Sequence, residues 1–120
     1  MLPDFSKAPD GLLPAVAQDV RTQEVLMVAW VNREAFEHAI KTGRAAYWSR
    51  SRKSLWVKGD TSGHLQKLRE IWVDCDGDSI LYRVEQTGAA CHDGYFSCFY
   101  RRLENGAWSV EREKVAEKPS

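Results

Sequence analysis

Apolar and polar positions alternate with a period that changes along the chain, and each change marks an element. Pro14 to Val20 and Glu24 to Val31 read as two strands, with Arg21 to Gln23 as their turn. Within the second, Val25 to Val31 is apolar throughout, the pattern of a strand covered on both faces. Asn32 is placed to cap a helix from Arg33 to Thr42 that Gly43 ends. Ala35, Phe36, Ala39 and Ile40 share one face of it at helical spacing. Arg44 to Ser49 and Ser54 to Lys58 read as strands, and Gly59 to Gly63 as a polar loop. Leu65 to Cys75 alternates like a long strand, which Gly77 turns into a return strand from Ser79 to Gln86. Gly88 to Gly94 reads as a loop and Ser97 to Leu103 as a strand. Asn105-Gly106 makes a hairpin turn into Trp108 to Glu111. The first thirteen residues hold two prolines and a glycine and read as an irregular lead-in. Lys114 to Ser120 is charged and is expected to fray. The expected fold is α+β, mostly β-strands with one main helix. It forms one domain over 1–120, with its core in 11–111 and a charged tail in 112–120.

Length changes this picture in one respect. A chain of 120 residues buries roughly two thirds of the surface its unfolded form exposes. That supports a core but leaves little room for a deep cavity, so a large substrate favours a site between subunits. Lysine plus arginine and aspartate plus glutamate number 17 each, and this balance argues against a dedicated nucleic-acid binder. Met1 to Pro14 lacks the basic start and apolar stretch of a signal peptide. No apolar run approaches the ~20 residues of a membrane span. A cytoplasmic protein is expected.

The chemistry concentrates in three places. Ile71 to Asp78 holds Asp74, Asp76 and Asp78 around Cys75. On a strand, Asp74 and Asp76 share one face and Cys75 takes the other, while Asp78 can curl back after Gly77. Three carboxylates this close repel one another unless a divalent cation joins them, and hard oxygens suit magnesium. An acidic turn in front of a core cysteine is the plainer alternative. A helix-flanked calcium loop fails because Ser79 stands where its sharp turn needs glycine.

The second place is Gly88 to Cys98, with Cys91, His92 and Cys98 between flanking glycines. An odd cysteine count without a secretory signal argues against a disulfide framework. With Cys75 there are three thiols, and three protein ligands with an open position describe a catalytic zinc. Three small buried residues would account for the cysteines as well. His92 is open to three roles: a fourth ligand, a general base, or a loop histidine. Charge favours the base, because three thiolates blunt the Lewis acidity of zinc and leave more for a base to contribute.

The third place is Tyr47 to Lys58, where four cations and two tryptophans fall within one short stretch before Gly59 to Gly63. Arginine grips phosphate bidentately, and small loop residues offer N–H donors to anions. Arg50, Arg52, Lys58, Thr61, Ser62 and Gly63 are therefore candidate phosphate ligands. Trp48 and Trp56 are candidate stacking platforms, and filling the core is the alternative for both. Taken together, these parts suggest a small zinc hydrolase acting on a phosphorylated heterocycle.

From about Gly11 to Arg102 the chain resembles the phosphoribosyl-AMP cyclohydrolase family. The resemblance rests on Leu13 to Asp19, Glu24 to Met27, Thr42 to Arg44, Tyr47 to Arg52, Leu55-Trp56 and Lys58-Gly59. It continues through Thr61 to Gly63 with Gln66, Asp74 to Asp78, Val84 to Gln86, Ala90 to His92 with Gly94, and Ser97 to Phe99. The resemblance implies an intertwined homodimer with active sites at the subunit interface. Cys75 from one subunit would join Cys91 and Cys98 of the other on zinc, and Asp74, Asp76 and Asp78 would hold magnesium. It also implies hydrolysis of the N1–C6 bond of the adenine ring in phosphoribosyl-AMP, the third step of histidine biosynthesis. Tyr95-Phe96 stands where basic residues are common in the family, and Asp93 where threonine is common.

On this basis His92 is expected to take a proton as water adds to C6, with His64 a second candidate base. Arg50, Arg52, Lys58 and Thr61 to Gly63 would hold the two phosphates. A zinc nucleobase deaminase is excluded, since neither H-x-E nor P-C-x-x-C occurs. A structural-zinc module that binds nucleic acid through Arg50 to Lys58 is the alternative from another class. The neutral charge balance and the missing CxxC pairs count against it.

Overall fold

The computed structural model describes residues 2–117. Among the described residues, after a short 3-10 turn at Phe5–Lys7, eight strands and one α-helix follow the order β1 (Leu13–Asp19), β2 (Val25–Val31), α1 (Arg33–Thr42), β3 (Ala46–Ser49), β4 (Ser54–Val57), β5 (Gln66–Val73), β6 (Ile80–Gln86), β7 (Arg101–Glu104) and β8 (Ala107–Val110). The main sheet has the order β2-β1-β6-β5; β3-β4 and β7-β8 are separate hairpins. This is the expected α+β fold with one main helix.

The pattern of β1 and β6 explains the core. Both strands alternate buried and half-buried positions over their full length. They pair in parallel, with Ala15 opposite Ile80, Ala17 opposite Tyr82 and Asp19 opposite Val84. One face of the central pair is thus apolar over Leu13, Ala15, Ala17, Ile80, Tyr82 and Val84, and ends on the buried polar Asp19 and Gln86. Ala35 and Ala39 of α1 have no exposed surface and share the core cluster with Leu26, Val31, Ala46 and Tyr47. Alanines at these positions let helix and sheet approach closely. The helix ends are as expected: Asn32 accepts the Ala35 N–H at 2.9 Å, and Gly43 closes the C-terminus in a left-handed conformation.

Three expectations are corrected. β2 is an edge strand and is not covered on both faces, since Val25 and Val28 are 44% and 53% exposed. The strand expected over Leu65 to Cys75 stops at Val73, because a six-residue turn takes over at Asp74. The strand expected from Ser97 begins only at Arg101. Cys98 instead donates its N–H to the Leu26 carbonyl at 2.7 Å, and the Ser97 hydroxyl donates to Val25 O at 2.6 Å. Those two bonds pin the preceding loop to the open edge of β2. The lead-in is also more ordered than expected: Phe5 enters the core, and Asp4 N donates to Gly77 O at 2.7 Å. Part of the expected frayed tail packs back on the fold through Val115 and Ala116, and its last three residues, 118–120, lie outside the described residues. Among the described residues no helix is long and apolar enough to cross a membrane.

Candidate active site

The loop between β6 and β7 carries Cys91, His92 and Cys98, and β4 delivers Lys58 beneath it. Lys58 is almost fully buried, and its ammonium donates to the Ala90 carbonyl at 2.7 Å. Burial lowers the Lys58 pKa, while the nearby Cys98 and Cys91 thiols act in the opposite direction. Cys98 is exposed as a whole residue, but its thiol is partly enclosed beside Cys91. Burial and the Cys91 thiol push it up to about 11, against the pull of Lys58. Cys91 is buried, and its sulfur accepts the Asp93 N–H at 3.4 Å. Two soft donors side by side, with an N–H donor and a cation to stabilise their anionic forms, fit the needs of a thiolate metal site.

Cys75 stands apart from this pair. Among the described residues, the only group of three potential ligands with donor atoms within 4.8 Å of one another is Asp74, Asp76 and Asp78. The expected arrangement of Asp74 and Asp76 on one face of a strand is replaced by a turn. The Asp74 carboxylate accepts the N–H groups of Asp78 at 3.0 Å and Ser79 at 3.2 Å. Burial acts to raise the Asp74 carboxyl, but these donors prevail and lower it. The turn presents Cys75 to solvent beside the three carboxylates. The Lys7 ammonium also bonds the Asp76 carbonyl from the lead-in. An all-oxygen cluster of this kind fits magnesium better than zinc.

A cleft of about 470 Å³ runs from β4 to the loop, lined among others by Arg52, Trp56, Lys58, Thr61, Ser62 and His92. The sequence placed Arg52, Lys58, Thr61, Ser62 and His92 in one site, and the structure brings them together. Gly63 is not part of the lining. Arg50 turns away, with its guanidinium 4.0 Å from the Trp30 ring centroid and paired to Asp10 at 3.1 Å. Trp48 packs against the core, whereas its neighbour Trp56 reaches the cleft. His64 lies outside the lining, and its Nδ1 is 3.3 Å from the Ala89 N–H at the root of the loop. Sequence reasoning did not single out Asp60, although it lines the cleft and pairs with Arg44 at 3.4 Å. The Gly59-Asp60 step after a strand was the available signal. Gly59 is needed there because a Cβ would lie 2.4 Å from the His64 carbonyl carbon.

Behind the cleft is a chain of buried polar groups. The Tyr47 hydroxyl donates to Gln66 Oε1 at 2.6 Å, and Gln66 Nε2 donates to Gln86 Oε1 at 2.9 Å. The Gln86 N–H in turn donates to the Asp19 carboxylate at 3.1 Å. Every member has partners, the condition under which buried polar groups lend rigidity. The chain links β3, β5, β6 and β1 just below the point where β6 runs into the loop.

Comparison with known proteins bears on this geometry. Residues 27–100 match the profile of a family described as Phosphoribosyl-AMP cyclohydrolase. The chain is 59% identical over 95% of its length to the phosphoribosyl-AMP cyclohydrolase of Nitratidesulfovibrio vulgaris (strain DP4), covering 90% of that protein. It is also 59% identical to the Methanosarcina acetivorans enzyme of the same name, over 95% of this chain and 92% of the other. For the Archaeoglobus fulgidus enzyme the identity is 62%, over 78% and 87% respectively.

Proposed function

This chain belongs to the phosphoribosyl-AMP cyclohydrolase family of histidine biosynthesis, and from that premise we propose that the cleft beneath His92 is where the adenine ring of phosphoribosyl-AMP is opened by hydrolysis of its N1–C6 bond. One observation carries the assignment: Arg52, Lys58, Thr61, Ser62 and His92 line a single cleft beside the Cys91–Cys98 pair.

The donor chemistry supports two metals. Cys91 and Cys98 would hold zinc together with a Cys75 supplied by a second subunit, since the Cys75 of the same chain is not grouped with them. Asp74, Asp76 and Asp78 would hold magnesium. Bound zinc supplies Lewis acidity that makes water a better nucleophile near neutral pH. A His92 ring nitrogen accepts the proton of the water that adds to C6. The same residue then returns that proton to N1 as the ring bond breaks. Arg52, Thr61 and Ser62 hold a phosphate of the substrate through charge-assisted and hydroxyl hydrogen bonds. Lys58 donates a hydrogen bond to Ala90, which positions the loop, and it lends positive charge to the thiolates.

The surface supports a homodimer. Val25, Val28, Trp72, Phe99, Leu103 and Trp108 are all large apolar side chains with 44% or more of their surface exposed. Pairing two chains would cover them and bring Cys75 of one to the loop of the other. The test is to follow absorbance as phosphoribosyl-AMP opens, with and without a chelator. Turnover abolished by the chelator and restored by zinc is the expected result. Full turnover in excess chelator would exclude the proposed metal chemistry.

A further inference from the structure

The segment after β8 doubles back onto the loop that carries His92. The N–H groups of Val115 and Ala116 both donate to the Gly94 carbonyl, at 2.8 and 3.1 Å. The approach is close enough that a Cβ on Gly94 would lie 2.1 Å from the Ala116 carbonyl oxygen. Lys114 Nζ lies 5.9 Å from the centroid of the Tyr95 ring. That ring stacks on Tyr100 with centroids 3.6 Å apart and planes 7° from parallel. The Tyr100 hydroxyl donates to Asp93 at 2.7 Å, and the Glu111 N–H donates to the Tyr100 carbonyl at 2.8 Å. The three residues that follow His92 are thus each held by groups from positions 100–116.

The loop's own bonds, Gly94 N to Cys91 O and Cys91 N to Tyr95 O, fix its internal shape. They do not fix how the turn as a whole faces the cleft. The geometry points to Lys114–Ala116 as a strap that sets this orientation, with Gly94 and the Tyr95–Tyr100 stack as its receiving surface. Its members are positioning residues, and the inference rests on the role given above to His92. Apolar burial does little for the docking, because Val115 is 57% exposed and Ala116 only half-buried. Two N–H bonds and a cation–ring contact hold the segment in place.

The test compares the full-length zinc-loaded protein with Val115→Pro, which removes one N–H donor, and with a chain ending at Glu113. Amide hydrogen exchange of residues 91–95, kcat and KM are measured for each, along with the visible spectrum after cobalt(II) substitution. Loop exchange is expected to quicken about tenfold in the shortened chain. The value of kcat should fall about tenfold with KM changed by less than about twofold. Val115→Pro should lie between the two proteins. Unchanged loop exchange in the shortened chain overturns the strap, and quickened exchange with unchanged kcat overturns its positioning role. A parent protein without a thiolate-to-cobalt band would instead remove the metal assignment, while the exchange result would still decide whether the strap exists.

Discussion

The Lys58 ammonium lies 2.7 Å from the Ala90 carbonyl and donates to it, so the residue after β4 is tied to the residue before Cys91. Replacing it as Lys58→Met removes the ammonium's hydrogen bond to that carbonyl and takes a cation away from two thiols. The expected result is a loss of zinc affinity of about tenfold, the usual scale for a group that supports a ligand. Competition with a chromogenic chelator measures it. Unaltered affinity would reduce Lys58 to a core residue.

The zinc site proposed between two protomers makes a stoichiometric prediction. Cys75→Ser and Cys91→Ser should each be inactive alone. Mixed, unfolded and refolded together, they should recover about a quarter of wild-type activity, because half the dimers are mixed and each has one intact site. No recovery, with mixed dimers demonstrated by mass spectrometry, would refute the sharing.

His92→Ala should lower kcat by about a hundredfold or more, the scale of general acid–base catalysis. The dependence of kcat on pH should change shape, not only height. A variant that is slower by the same factor at every pH would point to a different proton acceptor, and His64→Ala is then the next variant to make.

Asp19 couples stability to pH. Burial alone would raise its carboxyl, but N–H donors from Gln86 and Thr22, with Arg21 nearby, hold it below the usual carboxylate range. A lowered value in the folded state means its contribution is present above about pH 4 and drains away as pH falls further. Asp19→Asn should cost about 1–3 kcal/mol near neutrality. Its stability should also fall less steeply than the parent's below about pH 4. Urea unfolding across pH 2.5–7, taken as an approximate experimental span, checks both. Parallel curves would assign the effect to other carboxylates.

Much of the fold could be read from local signals. Asn32 and Gly43 bound the helix because capping depends on the few residues nearby. The alternation of β1 and β6 was legible because each has one apolar face. The aspartate turn was misread because period-two spacing continues through Asp74 and Asp76, although the Asp74 carboxylate captures two backbone N–H groups and ends the ladder. The apolar run of β2 gave no warning that one chain leaves Val25 and Val28 uncovered. Arg50 and Arg52 are adjacent in motif and alike in chemistry, yet one stacks on Trp30 and the other reaches the cleft. That choice depends on which side of the β3–β4 turn each occupies, and nothing in the local pattern records it. The site residues on the Gly88 to Cys98 loop were identifiable by type, but their meeting with Lys58 required the tertiary fold.

The parallel pairing of β1 with β6 also constrains how the chain reaches this state. Its two partners are separated by α1 and four further strands. Closing that connection carries a high entropic cost, and non-local pairings of this kind slow folding. The thiol-bearing loop leaves directly from the end of β6, so it has no anchored root until the crossover closes. On the proposed metal assignment, a nascent or partly folded chain offers its cysteines without the geometry to hold an ion, and loading would be reserved for molecules whose topology is complete.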